Sequence, residues 1–272
     1  MPPSADRGSS WRHVAALPLA VVILLPLAVM VGGSLRQAGL PPPRTPEFPT
    51  WPLAWGNYGQ AADLINLARL TLNSVIVAAL SVPLSVVVAS WAGFAISRLP
   101  PPQARLMVGA SLVALMVPLT AMLVGRFTIF AWLGVTDTFV PLVASALIGT
   151  SPLYVLVYYW AFRSLPGELF EAARLEGLTP FQSWRRVAMP LAWPVTVAVA
   201  TLAFGIIWGS FLEPLIYLFD PGLYTVPLGL RSLAQLDPTQ APLMLAGATI
   251  ATIPVAAAFL VAQRAFLRDI GL

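Results

Sequence analysis

"LPGELFEAARLEGLTPFQSWRRVAMPLAWP", residues 165–194, holds Glu168, Glu171 and Glu176 together with Arg174, Arg185 and Arg186, between long apolar runs. The rest of the chain is poor in charge: of 272 residues, 58% are hydrophobic and 10% charged. Soluble domains run at about 45–50% apolar and about 25% charged, so this composition belongs in a bilayer. All 15 basic residues are arginine, and they punctuate apolar runs instead of forming the one polar face a nucleic-acid binder needs. With no cysteine and a single histidine, His13, the chain lacks the ligands for a thiolate or histidine-cluster metal site.

Working outward from the charged stretch, six runs meet or approach the roughly 20 apolar residues that cross the hydrocarbon as a helix. They cover about 14–33, 70–96, 106–132, 139–162, 191–211 and 243–266. The expected fold class is an all-α integral membrane protein with six transmembrane helices, forming one domain over 1–272. The first run follows Arg7 and Arg12, as a secretory signal would. Its core exceeds the usual 7–15 residues and no clear small-x-small site follows, so it reads as a retained helix. Arg126 interrupts the third run and either marks its outer end or lies in a pathway. The proline-rich "PPPRTPEFP", 41–49, suits an extended surface segment, and 57–70 suits a short interfacial helix leading into the second span.

Six spans put both termini on one side, with ten arginines there and five opposite. The positive-inside rule assigns the arginine-rich side, and the opening stretch, to the cytoplasm. Trp11, Tyr158–Trp160 and Trp184 fall near the same interface, as an aromatic belt or simply as helix contacts.

Within the opening stretch, Ser164 is placed to cap a helix with Pro166 at its second position and Glu168 and Glu171 in its early turns. Gly177 suits the left-handed residue that ends such a helix, and Thr179–Pro180 suits a new start. The second helix then runs to Pro190, before the fifth span. The expected product is a helix-turn-helix over 164–190 at the cytoplasmic surface. Ala172, Ala173 and Gly177 leave room for close approach, while Glu171, Arg174 and Glu176 offer charge. A plain amphipathic connector between two spans would look the same on these grounds.

"EAARLEGLTPFQSWRRVAMPLAWP" resembles the EAA loop of permeases from ATP-binding-cassette importers, through Glu171, Ala172, Ala173, Gly177 and Val187–Pro190. Glu176 stands where that family usually has Asp, and Met189 where it has Leu. Asn57, Tyr58, Asn73 and Ser74 resemble the "NY…NS" approach to the second span in carbohydrate-type permeases. "WAGFAISRLP" resembles their "AAYAxxR", and "TVPLGLRSL", 225–233, their loop before the last span. These features are similar to the maltose-type group and its shorter, six-span partner; the C-terminal "FLRDIGL" departs from it.

The resemblance implies a permease, not an enzyme, that carries a sugar or oligosaccharide by alternating access. Its EAA loop would be the coupling helix, with Glu171, Ala172, Ala173, Arg174, Glu176, Gly177 and Pro190 at the ATPase contact. Lacking lysine, the chain has no Walker "GxxxxGK[ST]". ATP and Mg would be held by a cytoplasmic ATPase dimer, alongside a second permease and an extracellular or periplasmic solute-binding protein. Asn73, Tyr154, Trp208 and Glu213 are the candidates for the substrate path, with Glu213 expected to be solvated or paired. An importer for a non-sugar solute is the nearest alternative. A secondary transporter would need coupling carboxylates at mid-span, and no Asp or Glu sits convincingly there.

Overall fold

The computed structural model describes residues 7–41, 51–148 and 151–269; the run 42–49 of the proline-rich segment lies outside them. Among the described residues all regular structure is helical. In lipid this is a requirement, because an α-helix satisfies its own backbone hydrogen bonds.

Four helical stretches are long and apolar enough to cross a membrane: Ala16–Ser34, Leu67–Ser97, Val140–Arg163 and Pro238–Arg264. Two bent pairs raise the count to six if each is one span. Here the structure differs from the sequence reading. The third run breaks into α4 (Pro101–Met116) and α5 (Leu119–Trp132), with a 92° bend. Pro118 has no N–H to continue the ladder and forces Val117 to an extended ψ of 117°. The second pair is Pro180–Leu191 and α11 (Trp193–Trp208), bent by 86°.

The chain divides into two compact units. The first comprises 1–67 and 230–252 and contains α1 (Arg7–Ser34) and α2 (Gly56–Leu64), the short helix expected from the sequence. Ala61, Leu233, Leu243 and Ala246 form its core, with Tyr58 and Leu230 packed against it. Asn57 donates its side-chain amide to the carbonyls of Ser34 and Arg36, both at 2.7 Å, and Tyr58 shares a 2.6 Å hydrogen bond with Ser34. The bond to Ser34 O caps the last carbonyl of α1, and the one to Arg36 O holds the chain just beyond it.

The second unit comprises 68–229 and 253–272. Its long member is α3 (Leu67–Ser97), and α6 (Val140–Ile148), α7 (Pro152–Arg163) and α12 (Leu212–Tyr217) also lie in it. Gly93 of α3 allows very close approach to α7: a Cβ there would lie 2.7–2.8 Å from Tyr158 Cβ, Tyr159 N and Val155 O. Small residues serve this purpose between membrane helices, where packing drives association.

Candidate functional site

The charged stretch forms α8 (Gly167–Leu175), α9 (Pro180–Ser183), a π-helical turn over Trp184–Ala188, and α10 (Met189–Leu191). Gly177 terminates the first limb with φ +79°, as the sequence suggested. Thr179 accepts a hydrogen bond from Gln182 N while Gln182 Oε1 accepts from Thr179 N, a complete capping box. Two local expectations are corrected. Ser164 closes α7 instead of opening α8: its hydroxyl donates to Ala161 O at 2.8 Å, and Pro166 is the N-terminal flank. The second limb also continues through Pro190 and breaks at Ala192. The π turn supplies Met189 N with Trp184 O, and Pro194 has no N–H for the following turn.

The faces of α8 are sharply divided. Phe170 and Ala173, three residues apart, are 9% and 5% exposed and point into the chain. Glu168, Glu171, Ala172, Arg174, Glu176 and Gly177 are exposed, and Leu175 is 90% exposed. Ala173 therefore serves the inner packing, whereas the other small residues remain open. Nothing lies within 4 Å of where a Gly177 Cβ would be, so within this chain the glycine is needed for its φ. Leu175 has no distinguishing sequence signal beyond being an apolar residue among charges.

The inner face is seated on the C-terminal turns of α3. Phe181 and Trp184 pack edge-on against Trp91, with ring centroids at 5.6 and 5.2 Å. Phe170 meets the Phe94 ring at 5.9 Å, and the Arg98 guanidinium lies 3.8 Å from the Phe170 centroid. Arg98 Nη2 donates to Phe162 O, in the last turn of α7, at 2.7 Å. Burial first, and then the charge of Arg163, lower the Arg98 pKa, but an arginine stays charged. The sequence marked this arginine only through the "AAYAxxR" likeness.

The four substrate-path candidates occupy different environments. Trp208 lines a cavity of about 380 Å³ with Phe204, Thr71, Val75 and Pro83. Asn73 donates to Gly222 O and Tyr224 O, both at 2.9 Å, so both amide hydrogens hold a loop. Tyr154 is buried among Phe94, Tyr158 and Phe162. Glu213 accepts from Arg126 Nη1 at 3.1 Å and from Ser145 Oγ at 3.2 Å. That pair is 16% and 26% exposed and joins α5, α6 and α12, so both unusual charges have a partner. Among the described residues no group of three or more His, Cys, Asp or Glu is arranged for a metal.

Residues 69–271 match the family described as binding-protein-dependent transport system inner membrane component. The chain is 30% identical over 204 residues, 74% of either chain, to the trehalose transport system permease protein SugB of Mycobacterium tuberculosis (strain CDC 1551 / Oshkosh). It is 27% identical over 267 residues to the maltose/maltodextrin transport system permease protein MalG of Vibrio parahaemolyticus serotype O3:K6 (strain RIMD 2210633), covering 93% of this chain and 90% of that one. A crystal structure of a bacterial ABC transporter involved in the import of the acidic polysaccharide alginate superposes with TM-score 0.74, at 19% identity over 97% of this chain and 98% of that one. That likeness concerns the fold. With the family spanning all but the first 68 residues and the last, the chain belongs to the inner membrane components of binding-protein-dependent transport systems.

Proposed function

We propose that the chain, acting over 1–272 as one permease domain, is a subunit of a carbohydrate importer of the ATP-binding-cassette class. Each bent pair counts as one span, which gives six, and the arginine bias places both termini in the cytoplasm. ATP and Mg bind to a separate ATPase dimer. A companion permease completes the pathway, and an extracellular or periplasmic protein delivers the solute. The trehalose and maltose names of the relatives support a sugar or oligosaccharide as cargo.

The observation that carries this reading is the divided face of α8. Its inner side is packed on the chain, yet Glu171, Ala172, Arg174, Glu176 and Gly177 stand open around the 90% exposed Leu175. An exposed apolar side chain ringed by charge suits a protein partner, with a dry centre and a polar rim. Glu171 is proposed to pair with an ATPase arginine and Leu175 to fill a hollow between such contacts. Pro190 is exposed at the far end of the second limb, where it bounds the coupling segment. In the substrate path, Trp208 is the strongest aromatic candidate, because it already lines a cavity with space beside it. Glu213 is proposed to act with Arg126 as a gate tie, and Asn73 and Tyr154 as supports of the path.

The tagged chain, purified in mild detergent from its native host, is expected to bring an ATPase and a second permease with it. In proteoliposomes that complex should take up labelled trehalose or maltose with ATP, and absence of an ATPase would overturn the reading. Two variants separate turn from contact at Gly177. Gly177→Leu forces a side chain into left-handed backbone at about 1–2 kcal/mol, whereas Gly177→Asn tolerates that backbone. If the glycine faces the ATPase, both variants lower co-purification and uptake. If only Gly177→Leu does so, the residue shapes the turn and makes no contact.

A further inference from the structure

Three groups on the last turns of α3 hold the helix-turn-helix, and one of them has a geometry that ordinary packing does not require. Arg98 lies just past the end of α3, with its guanidinium 3.8 Å from the centre of the Phe170 ring on α8. The same group donates through Nη2 to Phe162 O of α7 at 2.7 Å. Its Nε lies 3.1 Å from Ser97 Oγ, and that hydroxyl itself donates to Phe94 O at 2.7 Å. One planar cation thus touches three helices through a ring face, a helix-terminal carbonyl and its own helix end. A flat guanidinium can stack and donate at once, which a flexible ammonium on a four-carbon stem cannot reproduce.

The surroundings leave little slack. Gly93, one turn earlier, brings α3 against the α7 backbone so closely that a Cβ would sit 2.8 Å from Tyr159 N. Trp91, two residues before it, meets Phe181 and Trp184 of the second limb. Both limbs therefore bear on α3. From Ser97, next to Arg98, back to Leu67 this helix is continuous over 31 residues, roughly 46 Å at 1.5 Å per residue, and its earlier turns supply Thr71, Val75 and Pro83 to the cavity beside Trp208. Pro83, inside the helix, is a point where displacement of one end can become a bend.

We propose that Arg98 is the positioning residue through which movement of α8 is delivered to α3, making α3 the driven helix of the permease. This rests on α8 being the ATPase contact. A push on its exposed face reaches Phe170 on the opposite side, then the stacked guanidinium, then the end of α3. The carbonyl of Phe162 keeps Arg98 from swinging aside, so the ring's motion is not absorbed by rotamer change.

The absence of native cysteine makes a direct test available. Cysteines replace Leu80 of α3 and Ile206 of α11, both exposed positions, and carry nitroxide labels in the complex purified with its ATPase. The interspin distance is measured by pulsed electron paramagnetic resonance without nucleotide and after trapping with ATP, Mg and vanadate. With Arg98 present, trapping shifts the distance. In Arg98→Ala the shift is lost while the ATPase still co-purifies and hydrolyses ATP, and Arg98→Lys restores only part of it. Phe170→Leu, which keeps bulk and the Phe162 carbonyl bond, loses the shift as well.

A full shift in Arg98→Ala or in Phe170→Leu overturns the proposal, as does the absence of any shift with Arg98 in place. Loss of the ATPase from Arg98→Ala overturns it too, by showing that the residue holds the loop in shape for docking. The underlying assignment of α8 fails differently. In that case Glu171→Arg and Leu175→Glu, on the exposed face, keep both the bound ATPase and the normal shift.

Discussion

The two ends of α3 are held by different balances of chemistry, directional hydrogen bonds at one and mainly ring packing at the other. Near its start, directional hydrogen bonds tie it to a loop. Asn73 reaches Gly222 O and Tyr224 O, Arg69 Nε reaches Gly222 O at 2.8 Å, and Val226 N donates to Ser74 Oγ at 2.8 Å. At its other end shape and ring faces predominate: Gly93 on α7, Trp91 on Phe181 and Trp184, and Phe94 and Arg98 on Phe170, with the 2.7 Å bond from Arg98 Nη2 to Phe162 O as the short hydrogen bond among them. Hydrogen bonds fix register and are lost within an ångström or so of misplacement. Ring faces allow tilt while contact persists. The difference suits a helix anchored at its start and driven at its end.

The largest effect is expected where the ring-lined end has least room. Gly93→Val places two methyls and a Cβ against the α7 backbone, which cannot move aside as a flexible side chain would. Overpacking of this kind costs about 1–3 kcal/mol and at times more. Thermal unfolding in detergent, followed by size-exclusion chromatography, should show a clear loss of folded protein, and Gly93→Ala should show a smaller loss in the same direction. If Gly93→Ala unfolds with the parent chain, the close approach of α3 to α7 is not what holds this end.

A smaller loss is expected from the hydrogen-bonded end. Asn73→Ala leaves Gly222 O and Tyr224 O without their amide donor, at about 1–3 kcal/mol if water does not replace it. Asn73→Asp should be at least as damaging, since a carboxylate would face two carbonyl oxygens. The comparison sharpens if nucleotide-driven movement survives in these variants while stability falls. It breaks if Asn73→Ala abolishes the movement and leaves stability unchanged.

Composition and the length of apolar runs made the membrane class legible, and helix start signals made Thr179–Pro180 and the turn at Gly177 legible. The 92° bend was only half visible. Pro118 was evident in the sequence, but a proline inside an apolar run can also stay within one continuous helix, as Pro83 does in α3. Neighbouring helices decide between these outcomes, and period alone does not report them. The candidate site was legible as a charged motif but not as faces. Ala172 and Ala173 are adjacent in sequence, yet one is exposed and the other buried, because which side of α8 meets α3 depends on Phe170 finding Arg98 more than seventy residues earlier. Asn73 reads as a path candidate because sugar sites combine aromatic faces with side chains that match hydroxyls. Its amide is engaged with a loop about 150 residues later in the chain, a contact no local pattern carries.

The smallest effect concerns pH and again divides the two ends. Asp137 Oδ1 accepts from the amides of Phe219 and Asp220 at 2.8 and 2.9 Å, on the loop that also meets Asn73 and Arg69. These two backbone bonds, the one to Asp220 first, hold its carboxyl below the usual value, against slight desolvation. A depressed carboxylate contributes stability that is fully present above its unfolded pKa, about 3.9, and lost as pH falls through the lower folded value. A nitroxide at Phe219, whose side chain is exposed, should therefore gain mobility only below about pH 3.9. Asp137→Asn keeps an oxygen acceptor and tolerates the local φ of 58°, so its loop should lose that acid step. Labels beside Trp91 should not report the step in either chain, because the ring contacts there contain no carboxylate. A transition at the Trp91 end with the same midpoint would mean that the two ends of α3 move together, and the contrast between anchor and driven end would fall.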